Sequence, residues 1–221
     1  EDMTVHAGAK VSVTRCDAQA HGGGLYIGAR LQVAGQVTVS QCVAISGGGG
    51  LYARTAEFSA NSVLLVSNCS STESSGGCID AQTIEADSQI VLVGCSAGSV
   101  GGGLFVSDGL RAVEIRMTGM SAVQGGGAFV VTAGNVTVSS LVVSRVDGSG
   151  AAVRVADGNV VSLGPATLSE IEGSLFEIQA REVEVENMVA RLGLWAAGRG
   201  VSTVRAADHR LNLLCECGAD W

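Results

Sequence analysis

The sequence predicts an all-β fold, a single-stranded right-handed parallel β-helix of about 8–9 coils. The first observation is a glycine-rich element that recurs along the chain. It reads Gly22-Gly23-Gly24-Leu25-Tyr26, then Gly48-Gly49-Gly50-Leu51-Tyr52, Gly101-Gly102-Gly103-Leu104-Phe105 and Gly125-Gly126-Gly127-Ala128-Phe129. The second is a valine-rich segment of period two in nearly every repeat, which is strand and not helix. The third is composition: 32 Gly, 15% charged residues and one proline, Pro165. That suits a stack of tightly turned coils with a thin polar skin.

Taken in order, weaker copies of the glycine element fill the gaps at Gly76-Gly77-Cys78-Ile79, Gly148-Ser149-Gly150-Ala151, Gly173-Ser174-Leu175-Phe176 and Gly198-Arg199-Gly200-Val201. With the residue after the glycines as the mark, at 25, 51, 78, 104, 128, 151, 175 and 201, the steps are 26, 27, 26, 24, 23, 24 and 26 residues. A period in the twenties means stacked units sharing one core. Upstream of the marks lie Val11-x-Val13, Val37-x-Val39, Leu64-x-Val66, Ile90-x-Leu92, Val113-x-Ile115, Val136-x-Val138 and Val183-x-Val185, interleaved with Ser, Thr, Glu and Arg. Parallel strands joined by crossovers take the right-handed sense. The helix is expected over residues 1–214, with 215–221 either its end, where Cys215 closes the final coil, or the start of a truncated cysteine-rich module opened by Cys217.

The formal net charge of −8 argues against nucleic acid as a partner, because phosphates require a basic stripe. Two uncharged stretches, Ser88 to Ser107 and Met117 to Ser144, contain Gly-Gly-Gly and keep the repeat register, so they read as coils and no membrane span is expected. The chain opens Glu1-Asp2-Met3-Thr4 without a signal-peptide pattern and reads as a segment of a longer protein with further domains.

Cys16, Cys42, Cys69 and Cys95 form a column, read as continuing through Thr118, Leu141 and Met188. Stacked neighbours have parallel Cβ vectors, poor geometry for a bridge, and the ladder lacks converging metal-ligand spacing. Packed free thiols are the expectation, and no metal or cofactor is expected.

A unit of the form V-x-V-x-x-C-x-A followed by G-G-G-L-Y resembles the repeats of the chlamydial polymorphic outer membrane proteins and related adhesin-like surface proteins, of the pectin-lyase-like β-helix group. The resemblance covers about residues 11–190, with Gly126-Gly127-Ala128-Phe129 nearest the family's Gly-Gly-Ala-Ile element. Val66-Ser67-Asn68 is only an echo of its Phe-x-x-Asn element. Similar glycine-rich repeats also resemble large surface proteins of protists and algae. The resemblance implies a non-catalytic, extracellular or cell-surface scaffold binding glycans or surface proteins along its side walls. Pectate lyases and polygalacturonases, which are similar in fold, imply the alternative: a polysaccharide lyase or glycoside hydrolase acting on acidic polysaccharide. Its candidate residues are Asp80, Asp108, Asp147, Arg154 and Glu172, with Glu170 beside them and no nearby His or Lys.

Glu182, Glu184 and Glu186 alternate as the outward side of a strand does, without the glycine-aspartate repeat that binds calcium. Tyr26, Tyr52, Phe105, Phe129 and Phe176 follow the marks and are the candidate binding residues if they face outward. Their phase stays open. If the marks face inward the aromatics face solvent, yet Asp80 and Glu177 then point into the core. Asn68-Cys69-Ser70 and Asn135-Val136-Thr137 match the glycosylation acceptor pattern.

Overall fold

In the computed structural model, residues 1–148, 150–172, 174–191, 203–205 and 208–215 are described. They form a parallel β-solenoid of about seven turns without helix. Each coil runs through four walls. In the second coil these are 51–53, 56–58, 63–67 and the short 70–71, pairing in parallel with 25–27, 31–33, 36–40 and 43–44 of the coil before. The walls are continued through 79–81, 84–86, 90–93 and 96–97 and onward to 176–178, 183–185 and 188–191. About seven turns replace the expected eight or nine.

Alternation fixes which side of each strand is dry. Along Val63–Ser67 the burial runs exposed, buried, half-buried, buried, half-buried, so Leu64 and Val66 enter the core while Val63 faces water. Stacking then repeats the choice: Val37, Leu64, Ile90, Ile115 and Leu141 lie one above another, each 0% exposed. Burying such aliphatic columns supplies the main driving force, at about 1.5–3 kcal/mol per fully buried side chain. Hydroxyl pairs on the wetter sides, Thr14 with Ser40 and Thr118 with Ser144, knit neighbouring rungs.

The glycine run is explained residue by residue in one coil. Gly48 has φ 69°, a left-handed turn that other residues adopt only at a cost. A Cβ on Gly49 would run into the backbone of Ser70 and Gly77. A Cβ on Gly50 would stand 3.2 Å from Cys69 Sγ.

The register corrects three sequence-based alignments. Ile79, not Cys78, pairs with Leu51, and Phe129, not Ala128, pairs with Leu104. The dry column is therefore 25, 51, 79, 104, 129, 153 and 176. Ile115 stacks on Ile90, and Val113 is 46% exposed, so the assumed Val113 start is two residues early. Val136 and Val183 belong to the second wall, not the third. The cysteine column accordingly continues through Met120, Val146 and Ile171 and not through Thr118, Leu141 and Met188.

One cysteine expectation also changes. Cys95 is bridged to Cys78, while Cys16, Cys42 and Cys69 are free. The bridge runs across one coil, between the glycine position and the corner, where the Cβ vectors converge instead of running parallel. Cys215 ends the strand Asp208–Cys215, and Cys217 lies outside the described residues.

Candidate functional site

The outward column of the first wall is the most chemically diverse surface of the described residues. Its order is Tyr26, Tyr52, Asp80, Phe105, Val130, Arg154 and Glu177. The corrected register removes the conflict in phase: Asp80 and Glu177 face outward with the two tyrosines and Phe105. Phe129 and Phe176, 0% and 3% exposed, belong instead to the dry column and are core residues. The five aromatics thus divide between two faces of the same strands.

Tyr26 is 59% exposed, and its ring stacks on that of Tyr52 with centroids 5.2 Å apart and planes 8° from parallel. His21, from the loop before the first glycine run, packs on Tyr52 at 4.7 Å, and its Nδ1 accepts a hydrogen bond from the Gly47 N–H at 3.2 Å. Asp80 follows Tyr52 in the column. Its carboxylate lies against Gly47, leaving no room for a Cβ there. Desolvation under this loop pushes the Asp80 carboxyl up to about 6. Burial also raises the Tyr52 phenol, with the negative charge of Asp80 adding to it.

Two residues further along the strand, a polar column flanks the aromatics. Arg54 Nε donates to Gln82 Oε1 at 3.1 Å, both side chains exposed. The wall therefore offers stacked rings, a half-buried carboxylate, a guanidinium and an amide within two coils. Rings with amphipathic edges beside a few fixed polar groups are what a site for sugar rings or a polar partner needs.

The remaining candidates scatter. Asp108 is exposed on the turn between the first and second walls, its N–H donating to Gln82 O at 2.8 Å. Asp147 sits on the fourth wall beside Ser121, and Glu172 comes next to it because its N–H bonds Val146 O. Arg154 lies on the first wall with Nε 3.2 Å from Glu177 Oε2, and Glu170 pairs with Arg145. Asp80, Asp108 and the Asp147–Glu172 pair thus lie on three different parts of the coil and do not converge. Among the described residues no group of three or more His, Cys, Asp or Glu is placed to hold a metal ion.

Sequence reasoning missed His21, whose place beside Tyr52 comes from the loop folding back over the wall. The signal was present: His21 stands immediately before the first glycine run. Compared with known proteins, the chain matches no family model, no curated protein and no solved structure. No helix among the described residues is long and apolar enough to cross a membrane.

Proposed function

We propose that the chain is a non-catalytic, adhesin-like scaffold of the extracellular space or cell surface, of the pectin-lyase-like type, holding glycans or surface proteins along its first wall. The observation that carries this reading is the exposed Tyr26 ring stacked on Tyr52 and continued by Asp80, with Arg54 alongside. Exposed aromatics on a rigid sheet cost little entropy to order on binding, and flanking polar groups supply orientation. The fold hosts both binders and enzymes, so the site decides. Calorimetric titration with neutral and uronate-rich oligosaccharides should give binding that Tyr26→Ala and Tyr52→Ala weaken at least tenfold. Undiminished binding by both variants would move the ligand to another wall.

A second reading is favoured by Asp80 alone: a carboxyl raised by desolvation, with a histidine packed on the neighbouring tyrosine, is suited to proton transfer. In that reading the chain is a lyase or hydrolase of acidic polysaccharide. Turnover of uronate polymers that Asp80→Asn abolishes would establish it over the first.

A further inference from the structure

We propose that Asn135 is an N-glycosylation site. The inference rests on the extracellular reading above and adds a modification to it. Asn135-Val136-Thr137 is an acceptor sequence, and the fold displays it openly. Val136 is 0% exposed, whereas Asn135 and Thr137 are both exposed, so alternation sets the acceptor amide and the hydroxyl two residues on along one outward face. Gly134, with φ 84°, turns the chain from the first wall to the second just before them, which places Asn135 at a corner.

Beside this corner lies a depression of about 400 Å³ whose lining includes Thr83, Asp108, Arg111 and Asn159. It gives room and hydrogen-bonding partners to the innermost sugar of an attached glycan. The Cys78–Cys95 bridge is an independent observation in the same direction, because such bridges persist in the oxidising compartments through which secreted chains pass. In the transfer, Asn135 Nδ2 forms a bond to C1 of an oligosaccharide carried on a polyprenyl pyrophosphate. The bond from C1 to the pyrophosphate oxygen breaks, the lipid pyrophosphate leaves with the electron pair, and the amide gives up one proton to the transferase base.

The other acceptor sequence is displayed differently. Asn68 has φ 51°, so the chain turns a corner between it and Ser70, and its Oδ1 lies 2.5 Å from where a Cβ on Gly94 would stand. Its side chain is exposed but laid along the next rung, against Gly94. Asn135 is accordingly the residue assigned. A glycan there covers the corner near Asp108 and Arg111 and leaves the Tyr26–Tyr52 stack open.

The test is secretion of the whole chain from cultured eukaryotic cells, followed by amidase deglycosylation and peptide mass spectrometry. The expected result is a mobility shift on deglycosylation, with Asn135 converted to Asp. Asn135→Gln and Thr137→Ala should each abolish the shift, and Asn68→Gln should leave it. A bridged, secreted chain unmodified at Asn135 would overturn the site while leaving the extracellular reading standing. A shift that survives Asn135→Gln would also overturn it. A chain that forms neither bridge nor glycan would count against both.

Discussion

Cys78 occupies the position at which the preceding coil has Gly50, and from there it is bonded to Cys95 with Cα atoms 5.4 Å apart. The neighbouring coils make the meaning of this clear. In them the third glycine faces the corner thiol, with a would-be Cβ on Gly24 3.1 Å from Cys42 Sγ and one on Gly50 3.2 Å from Cys69 Sγ. One coil has converted a space too small for a side chain into a covalent link.

The bridge closes a span of 17 residues, which is worth about 3 kcal/mol in chain entropy. Cys78→Gly should lower the unfolding free energy by about that amount without a clash, since glycine is what adjacent coils carry. Guanidinium titration of the variant beside the reduced wild type checks it. Equal stability of oxidised wild type and variant would show that the bridge constrains nothing.

The corner before the thiols turns through the left-handed region at seven successive described coils: Arg15, Gln41, Asn68, Gly94, Gly119, Arg145 and Glu170 all have positive φ. Side-chain-bearing residues there cost about 1–2 kcal/mol each. Gln41→Gly should therefore stabilise the protein by about 1 kcal/mol. Gly119→Ala should destabilise it by a similar amount, although the added Cβ meets only ordinary contacts at 3.6 Å. Thermal melts of the two variants should move in opposite directions. Movement in one direction would mean that packing, and not backbone strain, governs the corner.

How much of this was legible follows from what repetition encodes. Period-two valines and a glycine run in the twenties suffice for a solenoid, because each coil buries its apolar face only against another. Register was harder. Cys78 standing in for a glycine displaced the mark by one residue, and a one-residue slip exchanges the dry and wet faces. That slip set Asp80 against the aromatics and hid their common wall. The Gly125-Gly126-Gly127 run misled in the same way, since Gly126 and not Gly125 aligns with Gly101 and Phe129 is thereby a core residue. His21 stands beside the glycine run in the sequence, but its packing on Tyr52 comes from loop folding over a wall, which leaves no periodic trace.

Asp80 makes stability depend on pH in the less common direction. Its carboxyl, ordinarily near 3.8, is raised to about 6 by desolvation, so the folded state holds the proton more tightly than the unfolded. The contribution is fully present below about pH 4 and is lost as pH rises through about 6. Allowing for its water-exposed edge, the loss is about 1–2 kcal/mol. Glu57, held low by the Arg30 hydrogen bonds at 2.6 Å, works the opposite way, so the test is the difference between wild type and Asp80→Asn. The variant should be the more stable protein at pH 8, with the gap closing towards pH 4. A gap that does not change with pH would place the Asp80 carboxylate in water.

The free thiols should react in the order set by depth. Cys42 and Cys69 are 0% and 1% exposed, and each donates its S–H to the carbonyl two residues back, Ser40 and Ser67, at 3.2 Å. Burial raises both thiols, that of Cys69 to about 11, so at pH 8 its thiolate is roughly a hundredfold scarcer than that of an ordinary cysteine. Cys16 is only half-buried on the first rung, and its S–H reaches Thr14 O at the longer distance of 3.7 Å. Brief alkylation of the native protein followed by peptide mass spectrometry should therefore modify Cys16 first. Cys42 and Cys69 should label only on unfolding, and Cys78 and Cys95 only after reduction as well. Cys42→Ala should cost about 1 kcal/mol through the small cavity it leaves, whereas Cys42→Asp should cost several by burying a carboxylate. Rapid native labelling of Cys69 would mean that the corner opens on the timescale of the reagent, and the column would then be a reactive edge instead of a sealed part of the core.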